Sequence, residues 1–350
     1  MTQQVLAYAA LDATTPLVPF TFNQRIVRAD DVIIDVTYCG VCHSDLHQAR
    51  NDWGFSRYPM VPGHEVIGRV RSVGTAVTQF KVGDLVGIGC MVDSCRTCHA
   101  CKDGLEQYCE EGNTGTYGSL DRHDQSLTYG GYAQQIICSQ DFVLKVPENL
   151  AEHAVAPLLC AGITTWSPLR HWKVGAHSKV AVVGLGGLGH MAIKLAHALG
   201  AEVTLFTRSL HKSQDALDLG ADHVVLSTDQ AQMKAAKNQF DLIIDTVPYD
   251  HDLNPYIPTL ALSGTLVLVG YLGSFSANSV PMIMGRKSVA GSVIGGIQET
   301  QELLDFCGEN NIVSDVEVIQ MQDINDAYER MLKSDVKYRF VIDLKSLKAE

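Results

Sequence analysis

The sequence predicts a two-domain α/β protein in which a β-rich domain is joined to a doubly wound parallel sheet. Its 350 residues suit two domains of ordinary size. Up to about residue 150, short apolar runs such as Val32–Val36 and Leu85–Ile88 are separated by Gly and Pro, a pattern typical of many short strands. From about residue 155, strand-like runs alternate with helical periodicity, which indicates βαβ units and a parallel sheet.

The domain boundaries are predicted where this pattern changes. We assign residues 1–153 to the β-rich domain, 154–292 to the parallel sheet and 293–350 to a return into the first domain. The first domain has three further predicted strands, Glu65–Val73, Ala133–Cys138 and Phe142–Val146. The sheet domain has the predicted strands Lys179–Val183, Glu202–Phe206, Val224–Leu226, Asp241–Val247 and Thr265–Val269 and the predicted helices Gly187–Leu199 and Leu210–Leu219. The C-terminal segment has a predicted helix, Gln298–Gly308, and a final strand, Arg339–Leu344.

Composition and charge exclude several classes of protein. The chain is 46% hydrophobic and 19% charged, which is typical of a globular protein and not of a disordered one. Its net charge of −12, without a basic stripe, argues against a nucleic-acid partner. We find no run apolar enough to span a membrane and no secretory leader pattern. We therefore expect a cytoplasmic protein with reduced thiols and no membrane partner.

Four cysteines form a compact candidate metal site within a lobe at residues 90–115. They follow the pattern C-x2-C-x2-C-x7-C and are Cys95, Cys98, Cys101 and Cys109. Four thiolates at this spacing can close a tetrahedral zinc site. A closed site is structural, because it leaves no position for a substrate. The alternative is a turn that holds four reduced thiols without a metal.

A second set of candidate ligands is spread along the chain and consists of Cys42, His64 with Glu65, and Cys160. A Cys, a His and a distant Cys can supply three protein ligands and leave a fourth position for water or substrate. That is the arrangement of a catalytic zinc. Because these residues are far apart in the sequence, spacing alone does not assign them, and a structural role for each is the alternative.

A glycine-rich turn follows a predicted strand and opens a predicted helix. Its six positions are Gly184, Leu185, Gly186, Gly187, Leu188 and Gly189, which match G-x-G-x-x-G. The first glycine allows a tight turn, the second lets the backbone approach a pyrophosphate, and the third permits close packing of helix on strand. The N–H groups at the helix N-terminus would bind the phosphates. We predict a dinucleotide site here, and a turn without a ligand is the alternative.

The end of the next strand predicts which dinucleotide binds. Sites for NAD place an acidic residue about 20 residues after the glycine turn, where it holds the ribose hydroxyls. Here the predicted strand ends at Phe206 and is followed by Thr207, Arg208 and Ser209, with Lys212 one turn later. Hydroxyls and cations suit the charged 2′-phosphate of NADP(H). We therefore expect NADP(H) in preference to NAD(H).

Taken together, these motifs resemble the zinc-dependent alcohol dehydrogenases of the medium-chain dehydrogenase/reductase superfamily, and within it the cinnamyl-alcohol-dehydrogenase-type branch that includes bacterial NADPH-dependent aldehyde reductases. The resemblance runs from about residue 30 to residue 343 and rests on YCGVCHSDLH, YPMVPGHEVIGRV, the four-cysteine lobe, APLLCAGITTWSPL, GLGGLGHMAIKLA, GSVIGG and DVKYRFVID. It implies a GroES-like catalytic domain, a Rossmann domain and two zinc ions per subunit, one catalytic and one structural. It also implies reduction of aldehydes by NADPH with zinc as Lewis acid, in a homodimer.

The resemblance implies roles at the matching positions. Cys42, His64 and Cys160 would bind the catalytic zinc, and Glu65 would approach it when the bound water rearranges. Ser44 would exchange a proton with the alcohol oxygen and pass it through the nicotinamide ribose to His47, with Asp45 beside the ligands. Further cofactor contacts would come from His43, from Thr164 and Ile294 beside the nicotinamide, and from Arg339 near the pyrophosphate.

Six further positions resemble the family's substrate cleft: Trp53, Phe55, Cys90, Tyr108, Thr114 and Val293. This wall is mainly apolar, which suits uncharged aliphatic and aromatic aldehydes and not carboxylated sugars. Lignin-type members have a tryptophan five residues after the fourth lobe cysteine, where this chain has Thr114. Cinnamyl substrates are therefore not indicated as the natural ones.

Two other functions compete with this interpretation. A zinc-free quinone or enoyl reductase of the same superfamily would share the glycine motif but lack the ligand cysteines at 42, 160 and 95–109. A zinc-ribbon interaction or nucleic-acid module would not need a complete glycine-rich βαβ unit and would not carry a charge of −12. Both are therefore disfavoured.

Overall fold

The computed structural model describes residues 4–270 and 273–348 and divides into two compact units. Unit 1 takes the chain up to residue 160 and again from residue 295, and unit 2 takes residues 161–294. These limits lie slightly beyond the sequence-derived limits at 153 and 292. In this division a continuous second unit interrupts the first.

The elements follow one another in this order. Unit 1 begins with β1 (Gln4–Ala9), β2 (Val18–Asn23), β3 (Asp31–Val41), α1 (His43–Ala49), β4 (Val66–Val73), β5 (Leu85–Ile88), β6 (Met91–Asp93), α2 (His99–Lys102), β7 (Thr114–Gly115), β8 (Gln135–Ser139), β9 (Leu144–Lys145) and α3 (Glu152–Val155). Unit 2 contains α4 (Ala161–His171), β10 (Lys179–Val183), α5 (Gly189–Ala198), β11 (Glu202–Thr207), α6 (Ser213–Asp218), β12 (His223–Leu226), α7 (Gln230–Ala235), β13 (Phe240–Asp245), β14 (Leu260–Leu268), α8 (Ser279–Gly285) and β15 (Ser288–Gly291). Unit 1 then resumes with α9 (Ile297–Asn310), β16 (Val316–Gln320), α10 (Ile324–Leu332) and β17 (Arg339–Asp343).

The main sheet of unit 1 is organised around the long strand β3. Its strands lie in the order β16-β17-β3-β4-β5-β9, and β8 also pairs with β3. One edge of β3 pairs with β8 through residues 31–35 and with β17 through residues 38–41, while the other edge pairs with β4. The last strand of the chain therefore lies beside one of the first.

Strand β3 is more than twice as long as the predicted run Val32–Val36. Its pairing with β4 shifts register between Ile33 and Ile34 and again between Val36 and Tyr38. Such bulges interrupt the alternation of inward and outward side chains, so the apolar period that would reveal a long strand is broken. The extra length carries the chain to Cys42, at the start of α1.

Unit 2 is the predicted parallel sheet. Its six strands lie in the order β12-β11-β10-β13-β14-β15, and all of the neighbouring pairs are parallel. The order reverses at β10, whose neighbours are β11 on one side and β13 on the other. In open parallel sheets, ligands bind at the carboxyl edge at such a switch point. The observed β10 coincides with the predicted strand, and α5 lies within the predicted helix Gly187–Leu199.

A cluster of buried aromatic and aliphatic side chains lies in the core of unit 2. The ring of Phe206 packs edge-on against Phe240 and Tyr256, each with a centroid distance of 5.4 Å. Leu253, Leu260 and other buried apolar residues complete this cluster. Across residues 4–270 and 273–348, no helix combines the length and the apolar character that a membrane span requires.

The glycine turn between β10 and α5 has two positions with opposite steric demands. A Cβ atom at Gly189 would lie 2.1 Å from the carbonyl oxygen of Gly184, whereas a Cβ at Gly186 would meet no heavy atom within 4 Å. Gly184 itself has φ +90°, which favours glycine. Only the first and third glycines of the motif are therefore required by the fold itself.

Gly189→Ala and Gly186→Ala form a matched pair of variants. We expect Gly189→Ala to destabilise the protein by about 1–3 kcal/mol, because the backbone of the turn has to move. Gly186→Ala should stay within about 0.5 kcal/mol of the parent and instead weaken dinucleotide binding. Differential scanning calorimetry measures the first effect and a cofactor titration measures the second. Equal melting temperatures for the two variants would contradict the steric assignment.

Candidate active site

Four side chains of unit 1 converge on one buried point. Cys42 lies at the N-terminus of α1, His64 and Glu65 immediately precede β4, and Cys160 follows a 3₁₀ turn at residues 156–159. One ligand atom from each lies within 4.8 Å of the others, and all four residues are buried. The structure thus brings together the four residues that the sequence leaves scattered.

The geometry of these atoms fits a zinc ion. The Sγ atoms of Cys42 and Cys160 are 4.0 Å apart, and two sulfur ligands of a tetrahedral zinc, each at 2.3 Å, lie about 3.8 Å apart. Nδ1 of His64 is engaged with Asp45, so Nε2 is the nitrogen left for a metal. Oε2 of Glu65 is buried and has no hydrogen-bond partner among the residues that the structure describes. A cation at this point would satisfy that oxygen.

The carboxylate of Asp45 organises the ligands. Its oxygens accept hydrogen bonds from the backbone N–H of Cys42 at 2.9 Å and of Gly63 at 3.0 Å. They also lie 2.9 Å from Nδ1 of His64 and accept from the hydroxyl of Tyr132 at 3.3 Å. Asp45 is fully buried, so these donors replace the water that its charge would otherwise require.

The electrostatics of the site favour the metal-binding thiolate of Cys42 but the protonated form of His64, which cannot bind a metal. A hydrogen bond from Cys160 lowers the pKa of the Cys42 thiol well below its usual range, against the effect of burial. Burial alone would lower the pKa of His64, but the Asp45 carboxylate raises it well above its usual value. A metal would therefore displace a proton from the His64–Asp45 pair.

Glu65 and Arg339 form a buried ion pair beside the ligands. Nη2 of Arg339 donates to Oε1 of Glu65, and both side chains are almost completely inaccessible. Burial raises the pKa of Glu65 to about 7, although Arg339 lowers it. The resemblance places Arg339 near the pyrophosphate, and that role stays a prediction. In this structure its partner is Glu65.

The four-cysteine lobe forms a second cluster in unit 1. The ligand atoms of Cys95, Cys98, Cys101 and Cys109 lie within 4.8 Å of one another. The Sγ atoms of Cys95 and Cys101 are 3.8 Å apart, and backbone N–H groups point at the sulfurs of Cys95, Cys98 and Cys109. Backbone donors, those of Thr97 and Cys98, lower the pKa of Cys95 to about 6. These features suit a closed site with four thiolate ligands.

The helix α1 carries the two predicted relay residues. Ser44 lies two positions after Cys42, and His47 lies one turn further along. Nδ1 of His47 is 2.7 Å from Oδ2 of Asp52, and the His47 ring is 5.9 Å from that of Trp53. Because a carboxylate accepts hydrogen bonds, Nδ1 carries the proton and Nε2 is the basic nitrogen of the neutral ring.

The predicted cofactor residues of unit 2 meet at the carboxyl edge of the parallel sheet. Nζ of Lys212 donates to the carbonyl of Leu185 in the glycine turn at 3.2 Å. The hydroxyl of Thr207 donates to the carbonyl of Ser209 at 3.0 Å, so the three residues after β11 form a compact turn. Arg208, which is exposed, donates through Nη2 to the hydroxyl of Tyr249 at 2.9 Å. The turn and its two cations lie beside the glycine motif, as a site for a 2′-phosphate requires.

The remaining predicted positions are distributed over both units. Thr164 is buried in α4, and Ile294 ends unit 2 with φ +37°. In unit 1, burial lowers the pKa of His43. Among the cleft positions, Trp53 and Phe55 stack with centroids 5.8 Å apart. The roles of these residues stay predictions.

Sequence reasoning missed the partners that orient the site. Tyr132 on Asp45, Tyr249 on Arg208 and Glu65 as the partner of Arg339 are contacts between distant parts of the chain. One signal was available for Tyr249, since it lies just after a predicted strand and the ends of parallel strands share an edge. Tyr132 and the Glu65–Arg339 pair had no comparable signal.

Comparison with known proteins gives the same pattern over nearly the whole chain. Residues 28–148 match the profile of the alcohol dehydrogenase GroES-like domain, and residues 187–309 match that of the zinc-binding dehydrogenases. The aldehyde reductase YahK of Escherichia coli (strain K12) is 52% identical, over 98% of this chain and 99% of its own. A cinnamyl alcohol dehydrogenase of Sorghum bicolor superimposes with a TM-score of 0.96 at 45% identity, covering 99% of each chain. A Helicobacter pylori enzyme described as CAD, solved with NADP(H), has a TM-score of 0.93 at 42% identity and covers 99% of this chain and 100% of its own.

The two clusters predict two zinc ions per chain with separable roles. Cys42→Ser should remove one zinc and abolish turnover while most of the fold persists. Cys98→Ser should remove the other and lower the melting temperature, because a structural zinc contributes folding energy. Elemental analysis and calorimetry of both variants measure these effects, and Cys307→Ser, outside both clusters, is the control. Fully active protein with fewer than two zinc ions would refute this assignment.

Proposed function

The chain belongs to the zinc-binding dehydrogenases that carry a GroES-like alcohol dehydrogenase domain, and from this membership we propose that it is an NADP(H)-dependent alcohol dehydrogenase of the aldehyde reductase type. In this reaction a hydride passes between NADPH and the carbonyl carbon of an aliphatic or aromatic aldehyde. The observation that carries the proposal is the buried convergence of Cys42, His64 and Cys160. A zinc-free reductase has no need of such a cluster.

Cys42, His64 and Cys160 would hold the catalytic zinc, and the four-cysteine lobe would hold a structural one. When bound, the catalytic ion supplies Lewis-acid polarisation of the carbonyl oxygen. The protein's part is to fix its ligands. Asp45 accepts the Nδ1 proton of His64 and the backbone N–H of Cys42, which sets the tautomer and orientation of the ring. Glu65 supplies a nearby carboxylate that Arg339 keeps in place.

Ser44 and His47 would manage the proton. In aldehyde reduction the product oxygen requires a proton, and the hydroxyl of Ser44 would donate it. His47 would restore that proton from solvent, because Asp52 holds Nδ1 and leaves Nε2 free to exchange. His47 is about one-third exposed, which suits the solvent end of a relay.

The carboxyl edge of the parallel sheet would bind NADP(H), which when bound supplies the hydride. The glycine turn would hold the pyrophosphate, because a helix N-terminus offers unpaired N–H groups. Thr207, Arg208, Ser209 and Lys212 would hold the 2′-phosphate. The Helicobacter pylori enzyme, 42% identical, was solved with NADP(H), which supports the same cofactor here.

Uncharged aldehydes are the substrates that the cleft positions support. Trp53 and Phe55 provide a stacked aromatic surface in unit 1. Thr114, where lignin-type members have tryptophan, is buried in β7. A small residue at this position does not select a cinnamyl ring. The YahK name, aldehyde reductase, supports the same substrate class.

A homodimer would cover the exposed edge of the parallel sheet. Strand β15 is the last strand on its side of the sheet, and an open edge invites pairing with another strand. On the helix that precedes it in the chain, α8, Val280, Ile283 and Met284 are 63%, 75% and 80% exposed. Exposed apolar residues of this size, together with an open edge, are typical of an interface. We propose that a second copy pairs there, in the cytoplasm.

The dimer proposal predicts that two charged residues introduced on α8 prevent dimerisation. Ile283→Glu with Met284→Glu should shift the protein from dimer to monomer, because like charges repel and cannot be buried unpaired. Light scattering after size-exclusion chromatography measures the mass. The control is Leu217→Glu, an exposed apolar position on α6. A parent protein that is monomeric at micromolar concentration would refute the interface.

The relay assignment predicts that substitutions at Ser44 and His47 reduce kcat by unequal factors. Ser44→Ala should reduce kcat by roughly 100- to 10,000-fold, the usual size of a general acid–base contribution, with little change in NADPH affinity. His47→Ala should reduce kcat by a smaller factor, because a water molecule can replace the imidazole at the solvent end of the relay. Steady-state kinetics with benzaldehyde measure both. Unchanged kcat in Ser44→Ala would refute the relay.

The cofactor assignment predicts a preference for NADPH of about 100-fold over NADH, since two charge-assisted contacts at an exposed site give roughly 3 kcal/mol. Arg208→Ala should raise the KM for NADPH and leave that for NADH nearly unchanged. Thr207→Asp should repel the 2′-phosphate and offer an acceptor to the ribose hydroxyls. The measurement is kcat/KM with each cofactor at one aldehyde concentration and one ionic strength. Equal values for the parent enzyme would mean that the 2′-phosphate site is misassigned.

A further inference from the structure

Arg208 and Tyr249 form a bridge at the carboxyl edge of the parallel sheet. Arg208 follows β11 and Tyr249 lies in the loop after β13. In the sheet, β10 lies between these two strands. The guanidinium donates to the tyrosine hydroxyl at 2.9 Å and lies 5.7 Å from the ring centroid. The bridge therefore spans the end of β10, where the glycine turn begins.

The segment that carries Tyr249 is fixed at both ends. At its start, the hydroxyl of Thr246 donates to the carbonyl of Val183 at the end of β10, at 2.8 Å. At its end, Nδ1 of His251 lies 2.9 Å from the carbonyl oxygen of Tyr249. A carbonyl only accepts, so this nitrogen carries the proton. The loop is thus held in the shape that presents Tyr249 to Arg208.

His251 is held in turn by a buried carboxylate. Its Nε2 lies at an ion-pair distance of 2.8 Å from Oδ2 of Asp245, without hydrogen-bond geometry. Asp245 is the last residue of β13 and is 1% exposed. Burial raises the pKa of Asp245, and the charge of His251 opposes that effect. A buried carboxylate at the end of a core strand gives the ring a fixed partner, whereas Tyr249 itself is half-exposed.

We propose that Tyr249 is a specificity-determining positioning residue for the 2′-phosphate of NADPH, which it serves by holding Arg208, and that the Asp245–His251 pair holds Tyr249 in place. This inference rests on the proposed cofactor. A free arginine loses rotamer freedom when it binds a phosphate, and that loss weakens binding. Tyr249 restricts Arg208 in advance and occupies one of its five N–H donors, which leaves the others for the phosphate.

Two substitutions at Tyr249 separate the contribution of its hydroxyl to NADPH binding from that of its ring. Tyr249→Leu should weaken NADPH binding about tenfold, since it removes both a hydrogen bond and a ring contact of an exposed cation. Tyr249→Phe should weaken it about threefold, because the ring remains. NADH binding should change less than twofold in either variant, because NADH has no 2′-phosphate. Isothermal titration calorimetry of the zinc-loaded enzyme with each cofactor gives the dissociation constants.

Combining variants tests whether Tyr249 acts through Arg208. In an Arg208→Ala background, Tyr249→Leu should have no further effect on NADPH binding, since residues that act as one unit are not additive. His251→Ala should lower the preference for NADPH, and His251→Asn, which keeps a donor near the position of Nδ1, should restore most of it. A merely structural role for His251 would lower the melting temperature without changing the ratio of the two affinities.

The outcomes distinguish this inference from the function on which it rests. A parent enzyme without a preference for NADPH overturns the proposed cofactor and this inference with it. A parent that prefers NADPH, with Tyr249→Leu weakening both cofactors equally, overturns the inference alone. So does an undiminished effect of Tyr249→Leu in the Arg208→Ala background, because Tyr249 would then contact the cofactor directly.

Discussion

The carboxylate of Asp45 has no access to water, and the residues around the candidate metal site are arranged to satisfy its charge. Removing a charged carboxylate from water costs several kcal/mol unless hydrogen bonds replace the hydration. Here the replacements come from Cys42, Gly63, His64 and Tyr132. These residues belong to three separate stretches of the chain, so satisfying one charge fixes three segments at once. The candidate metal ligands Cys42 and His64 are positioned as a consequence.

The sequence was sufficient wherever the information is local. The parallel sheet, the glycine turn and the four-cysteine lobe each lie within a short window, and the structure has them where the pattern predicted them. The grouping of Cys42, His64 and Cys160 depended instead on family resemblance, because nothing in their spacing requires that they meet. The structure brings these three residues together, and the proposed experiments test their functional roles.

What could not be predicted shares a physical cause. Strand β3 was underestimated because bulges break its alternation. The hydrogen-bond partners of Arg339, Arg208 and Asp45 could not be predicted, because a hydrogen bond between distant segments produces no periodic pattern in the sequence. Two buried carboxylates, Asp45 and Asp245, lie within ion-pair distance of a histidine. One lies at the candidate metal site and the other at the carboxyl edge of the parallel sheet, and neither is distinguished by its neighbours in the sequence.

The pairing of β17 with β3 also has a consequence for the order in which the protein is made. Phe340 pairs with Val41 across about 300 intervening residues, so the ribosome must finish almost the whole chain before the central strand of unit 1 acquires that neighbour. Unit 2 is continuous and can fold during synthesis as soon as it leaves the exit tunnel, as domains generally do. Arg339 reaches Glu65 only at the end. In the last part of translation the nascent chain can thus carry a complete unit 2 while the buried Glu65 carboxylate of unit 1 still lacks its counterion.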